Sequence, residues 1–370
     1  MKNLILLTGG AGFIGSHVTD LLLASGYEVR ILDNLNPQVH GADPKHPDYL
    51  SSDAELVVGD VRDRDMVERS LRGVQGVIHL AAAVGVGQSM YDITSYVDVN
   101  EAGTAVLMEA LSKRPVERLV VASSMSIYGE GLARGERAAL NPEPRPIEQL
   151  RRGQWELLDG NCALAPLPTP ETKPPSLSSI YALNKYAQEQ MALIVGKAYG
   201  IDTVALRFFN VYGPRQALSN PYTGVLAIFG SRLLNNRPPL IFEDGEQRRD
   251  FVQVRDVAQA VKLAYETERG IGCAFNIGSG VSRSILSLAE DLARIVGKPQ
   301  IMPHITGKYR VGDIRHCFAD ISLARDELGY RPSVAFDDGL AELAGWLGSQ
   351  TAQDRVDQAT EELERRGLVA

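Results

Sequence analysis

A doubly wound, mostly parallel α/β sheet carrying a smaller, interleaved C-terminal α+β lobe is the fold this sequence predicts, and three observations predict it. Apolar, strand-like runs alternate with helix-periodic runs from residue 4 to residue 122, the pattern of strands joined by crossover helices. A turn with glycines at 9, 12 and 15 joins the first such strand to the first such helix. Past Pro214 the alternation gives way to an irregular mixture, as a second lobe would show.

The elements follow in order. Leu4–Leu7 reads as a buried strand, and Phe13, Ile14, Val18, Leu21 and Leu22 mark a helix. The glycines between them allow a sharp turn and a close approach of a pyrophosphate to peptide N–H groups, where the helix start also welcomes an anion. Asp33 ends the second strand, Val29–Leu32, and suits the ribose hydroxyls of an adenosine. Asn34, Leu35 and Asn36 follow it without an Arg or Lys for a 2′-phosphate, so NAD is expected over NADP. These are the marks of a Rossmann dinucleotide-binding unit. After a polar loop reaching Asp53, Glu55–Gly59 is a third strand ending at Asp60 and Val61. Asp60 could meet the adenine amino group, cap a helix over 62–72, or do both. Gly76–Ala82 is the fourth strand, with His79 a core histidine, and the small residues of 83–89 follow it. A helix over 93–112 and a fifth strand, Arg118–Ala122, complete the alternation and lead to Ser123, Ser124 and the Tyr128-Gly129 turn. Later, Tyr181 and Lys185 open a helix running to Tyr199. Their i, i+4 spacing puts phenol and ammonium on one face. A cation there makes a tyrosine a usable base, since a free phenol has a pKa of about 10.

Composition narrows the function. The chain has 370 residues, 44% of them hydrophobic, with a formal net charge of −8. That balance argues against a nucleic-acid partner. Three dispersed cysteines and six dispersed histidines show no disulfide framework and no metal-ligand spacing, so no metal is expected. No apolar stretch reaches transmembrane length and the N-terminal run is too short for a signal segment, so no membrane partner and a cytoplasmic location are expected.

Thr8 to His17, Asp33, Asp60, Leu80–Ala82, Ser123 to Gly129, Tyr181 to Lys185 and Arg207 to Arg215 together resemble the extended short-chain dehydrogenase/reductase family, in its nucleotide-sugar epimerase and dehydratase branch. The likeness runs from residue 1 to about 346. It implies Tyr181 as general base, Lys185 as the group that lowers its pKa and holds the nicotinamide ribose, and Ser124 as the hydrogen-bond partner of the reacting sugar oxygen. It further implies cofactor contacts at Gly9, Gly12, Phe13, Ile14, Gly15, Asp33, Asn34, Asp60, Val61, Leu80, Ala81, Ala82 and Asn100, besides Tyr181 and Lys185. Sugar-nucleotide contacts are implied at Ser126, Asn210, Arg249 and Arg315, with Arg248 a neighbour that could substitute for Arg249. A planar guanidinium fork suits a diphosphate. Relatives pair as homodimers through helices matching 93–112 and 179–199.

Two departures matter. Where the dehydratases carry an Asp-Glu pair after the serine, this chain has Met125 and Ser126, neither of which can act as a carboxylic acid. The resemblance therefore implies a 4-epimerase rather than a dehydratase, and Gly224–Asp244 resembles the deoxythymidine-sugar branch, pointing to a dTDP-6-deoxyhexose. A UDP-hexose epimerase, a 4-keto-sugar reductase and a silent nucleotide sensor stand as alternatives. The second departure is a long segment over 131–178, within a stretch that holds eight of the chain's 19 prolines. It reads as a loop with at most one short helix near 147–152, either a surface insertion or a lid over the site. The expected organisation is a sheet domain over 1–210 and about 250–268, a sugar-nucleotide lobe over 211–249 and 269–346, and a polar tail over 347–370. Phe275 to Gly280 reads as a strand-to-loop turn in a supporting role.

Overall fold

The computed structural model describes residues 3–41, 46–136, 138–222, 224–350 and 354–370; part of the loop before Asp53, residues 42–45, and the start of the tail, 351–353, lie outside them. Seven parallel strands form the main sheet: β1 (Leu4–Thr8), β2 (Glu28–Asp33), β3 (Glu55–Val58), β4 (Gly76–His79), β5 (Arg118–Ser124), β6 (Asp202–Phe208) and β7 (Ala274–Ile277). Their order is 7-6-5-4-1-2-3, with the reversal between β1 and β4 that opens a ligand crevice at the carboxyl ends.

Strand alternation explains both cores. Ile5 and Leu7 point to one face, where Val18 and Leu22 of helix Phe13–Ala24 and Val257 and Val261 of helix Val254–Glu266 cover them. Leu6 points to the other, against Val67, Leu107, Leu111 and Ala192. Burial on both faces is why these strands are continuous apolar runs rather than alternating ones.

The structure departs from expectation in four places. Ala274–Ile277, assigned from sequence to the second lobe, pairs in parallel with β6 and extends the main sheet. The small-residue loop after β4 contains a helical turn, Val86–Ser89. The expected helix over 93–112 is interrupted: Ile93–Val97 and Gly103–Lys113 are α-helical, with a π-helical turn at Asp98–Ala102 between them. The insertion has its predicted short helix, Ile147–Arg151, and also two-residue strands at 133–134, 139–140 and 165–166 plus a hairpin at 158–159 and 162–163. Leu157, Leu164 and Ala133 give it a small core of its own.

The second lobe packs helices Val225–Leu234, Ile285–Ile295 and Phe336–Leu347 around Leu226, Phe229, Leu288, Leu292 and Leu343. A mixed sheet of Asn210–Tyr212, Arg248–Gln253 and Ser282–Ser284 lies at its junction with the sheet domain. Among the described residues no helix is long and apolar enough to cross a membrane.

Candidate active site

A cavity of about 720 Å³ runs from the carboxyl ends of the main sheet to the second lobe, a size that takes a small organic ligand. Its inner end is built on the glycine turn. Gly9 has φ of +71°, and a Cβ there would sit 2.8 Å from the Ala81 nitrogen; one on Gly15 would sit 2.2 Å from the Gly9 carbonyl oxygen. Only glycine allows this crossing. Gly12 caps the helix with no side-chain acceptor for the first N–H groups, so these donors stay available to a ligand. Asp33 is fixed by the N–H groups of Ala11 (3.0 Å) and Leu35 (2.9 Å) and lines the cavity. The Nε2 of His40 lies 3.9 Å from it, and burial pulls this histidine below its ordinary pKa while Asp33 opposes the shift.

Ser124, at the end of β5, and Tyr181, in the first turn of helix Ile180–Tyr199, meet across the cavity floor. Burial pushes the phenol's pKa up, and the nearby Ser124 hydroxyl, which donates to Ser126 Oγ at 3.1 Å, opposes this by favouring the ionised form. Lys185 is buried one turn along; burial pulls its ammonium down to about 7, with Glu189 opposing. Its Nζ donates to Gln188 Oε1 at 2.8 Å, and Gln188 Nε2 donates to the Thr104 hydroxyl at 2.8 Å. Thr104 meets His79 Nε2 at 2.9 Å, and His79 Nδ1 meets the Thr8 hydroxyl at 2.7 Å. His79 is thus a core histidine, lowered to about 3 by burial and then by Lys185. This buried relay ties the lysine to the glycine turn. Gln188 was not singled out from sequence, although its position three residues after Lys185 puts it on the same helical face.

Of the expected residues, Gly9, Gly12, Phe13, Ile14, Gly15, Asp33, Asn34, Val61, Leu80, Ala81, Ala82, Ser124, Ser126, Tyr181, Lys185, Asn210 and Arg249 all line this one cavity. Three do not. Asn100 sits in the π-helical turn and spends its amide on the Ala83 backbone, accepting from N–H at 2.7 Å and donating to C=O at 3.0 Å. It holds the loop after β4 rather than facing a ligand. Asp60 is occupied by Arg62 and by Asn34 Nδ2, which lower its pKa to about 2. The cap of helix Arg64–Ser70 is Asp63. Arg315 is fully buried, its guanidinium bonded to Glu156, Glu243 and Asp244. It braces the insertion against the second lobe and offers a phosphate nothing.

The cation that does reach the cavity beside Arg249 is Arg310, five residues earlier in the same loop and stacked 4.2 Å over the Phe242 ring. Its signal in the sequence was its place before the Gly312 turn, whereas Arg315 adjoins the strand His316–Cys317. Arg249 is held by the carbonyls of Arg248 and Arg315, each at 3.0 Å, and of Ile314. Asn210 Oδ1 is buried with no protein partner, an acceptor left for a ligand. Among the described residues the carboxylates lining the cavity are Asp33, Asp92 and Asp313, none of them in the Ser124–Tyr128 turn. Among the described residues no cluster suits a metal ion. The insertion does not close the cavity: between 131 and 177 no described residue lines it, so the lid expectation is corrected to a brace.

A family model described as "NAD dependent epimerase/dehydratase family" matches residues 5–149 and 162–278, stepping over part of the insertion. The chain belongs to this family. The dTDP-L-rhamnose 4-epimerase of Burkholderia thailandensis is 37% identical over 94% of this chain and 95% of its own length. Among solved structures, the UDP-glucose 4-epimerase of Thermotoga maritima with UDP-glucose superposes with a TM-score of 0.76 at 32% identity, covering 93% of this chain and 98% of that one. The UDP-glucose 4-epimerase of Thermus thermophilus, in complex with NAD, gives 0.74 at 31%, covering 94% and 100%. Epimerase/dehydratase chemistry with NAD is the shared ground of the family, and the glycine turn, the uncapped helix start and the placed Asp33 fit that cofactor.

Proposed function

We propose that the protein is a nucleotide-sugar 4-epimerase acting on a dTDP-6-deoxyhexose, with dTDP-L-rhamnose the foremost candidate. The observation that carries the reading is the meeting of Ser124, Tyr181 and Lys185 on the floor of a cavity whose inner end is a dinucleotide cradle. Bound NAD would accept a hydride from the sugar and return it. Tyr181, as phenolate, takes the proton of the C4 hydroxyl, and Ser124 holds that oxygen. Lys185 stabilises the phenolate by charge and, one helical turn from Tyr181, is placed to hold the nicotinamide ribose. Arg249 and Arg310 grip the diphosphate from two sides, with Asn210 Oδ1 accepting from the nucleotide or sugar. The sugar stays free to turn about its anomeric oxygen while the nucleotide is held, so return of the hydride to the opposite face would invert C4.

Re-reduction at one carbon requires no acid–base pair beyond Tyr181 and Ser124. Water elimination would require one, and Met125 and Ser126 supply no carboxyl group. The relation to a dTDP-L-rhamnose 4-epimerase supports the sugar assignment, as does the resemblance of Gly224–Asp244 to the deoxythymidine-sugar branch. Incubation with a panel of dTDP-, UDP-, GDP- and CDP-sugars, products resolved by NMR, tests it. Interconversion of C4 epimers of a dTDP-6-deoxyhexose without added reductant is expected. Turnover only of a 4-keto sugar with consumption of NADH or NADPH would make the protein a reductase instead.

A further inference from the structure

The C-terminal segment reads as a polar tail, yet its helix Val356–Arg365 turns Val356, Ala359, Thr360 and Leu363 toward the substrate cavity, and Leu368 joins them. The spacing is that of one apolar helical face. The segment is fastened to both sides of the cleft. On the second lobe, Arg232 and Arg237 each reach Asp357 at 2.7 Å, Lys308 pairs with Glu364, and the Tyr309 and Val311 N–H groups donate to the carbonyls of Ala370 (2.8 Å) and Leu368 (3.0 Å). On the sheet domain, the Leu363 methyls lie against Gly87, and the Arg366 guanidinium sits 4.3 Å over the Tyr91 ring. The Tyr91 hydroxyl in turn meets that of Tyr222 at 2.6 Å.

We propose that residues 356–370 form the outer wall of the sugar chamber and retain the 4-keto sugar between the two hydride transfers. The proposal rests on the 4-epimerase reading. A sugar that must turn over is held through its nucleotide alone while it is a ketone, so the chamber has to confine it and exclude water. The wall meets this requirement with the apolar Val356, Ala359, Leu363 and Leu368, and with Thr360, whose hydroxyl already donates to the Val356 carbonyl at 2.9 Å, so that it permits rotation. Balance fixes what a breach does. In the first half-reaction C4 loses its hydride to the cofactor and its hydroxyl proton to Tyr181. If the ketone then escapes, two electrons remain behind and that subunit stays reduced.

The experiment compares the full-length enzyme, as purified with its cofactor, with Leu363→Ser, with a chain ending at Gln350, and with Glu361→Gln on the helix's exposed face as control. Three readouts are taken with the substrate found active: KM, ketone trapped from solution by borodeuteride, and absorbance of reduced cofactor at 340 nm. dTDP affinity by calorimetry and the thermal midpoint report on the nucleotide site and on folding. Leu363→Ser is expected to raise KM roughly tenfold and to release ketone while absorbance at 340 nm builds up; the shortened chain should do so more strongly, and Glu361→Gln should match the parent. If the shortened chain does not fold, Leu363→Ser decides. Folded variants with parental KM and no released ketone would overturn the proposal. A parent enzyme that epimerises no nucleotide sugar would overturn the 4-epimerase reading, and this proposal with it.

Discussion

On the proposed reading, Tyr181 works as a base only because of what surrounds it. Burial raises its pKa, and the Ser124 hydroxyl opposes that; the positive charges of Lys185 and of bound oxidised NAD would supply the rest. Tyr181→Phe should therefore cut turnover by about 10²–10⁴-fold while dTDP affinity by calorimetry stays at the parental value. Lys185→Met removes a cation that favours phenolate, so the acid limb of the pH–kcat profile should move to higher pH. An unmoved limb would show that the lysine only holds ribose. Arg310→Ala should raise KM with little change in kcat, because a diphosphate contact is made equally in ground and transition states. The proposed catalytic residues Ser124, Tyr181 and Lys185 were legible as candidates because each stands in a short motif whose neighbours declare its element. Arg310 and Arg315 show where legibility ended. Both lie in one loop, and which of them faces the cavity depends on Glu156, Glu243 and Asp244, contributed from far along the chain.

At the scale of elements, the insertion acts through ionic bracing. Arg145 reaches Glu243 at 2.9 Å and the Asp313 carbonyl at 3.1 Å, while Glu156 holds Arg315 and His316. The Glu156 carboxyl is lowered to about 2, first by His316 and then by Arg315. A depressed carboxylate contributes stability above its unfolded pKa of about 4.5 and loses it as pH falls through its folded value. Glu156→Gln should accordingly flatten acid denaturation between about pH 4.5 and 2, measured by circular dichroism. Arg315→Met would remove one of the two cations on the buried Glu243, leaving Arg145, and cost about 1–3 kcal/mol, read as a shift in urea midpoint. The insertion's prolines announced irregular backbone and its short helix was readable, but its five two-residue strands were not. Strands that short carry no periodicity of their own, and their pairing is set by contacts with the rest of the chain. The π-helical turn at Asp98–Ala102 was equally invisible, since the apolar spacing through it still suits a helix.

At the scale of the whole molecule, the doubly wound sheet was readable from alternation alone, and the strand before Gly280 was read too, but its place in the main sheet was not, because β7 follows a helix that returns from the second lobe. The polar tail suited either a surface helix or a frayed end, because its high charge masks the apolar face that helix Val356–Arg365 turns inward. Helix Ile180–Tyr199 leaves Leu183, Ile194 and Tyr199 exposed, and pairing with a second copy through this helix and its neighbour over 93–113 is our expectation. Ile194→Glu should then shift the sedimentation coefficient from dimer to monomer. The central claim is that one hydride leaves C4 and comes back to it. Substrate deuterated at C4 tests this most directly when converted in ordinary water without added cofactor. The account predicts C4-epimerised product that keeps its deuterium. Product in which solvent hydrogen has replaced it, or conversion that stops without NADH or NADPH, would contradict the account.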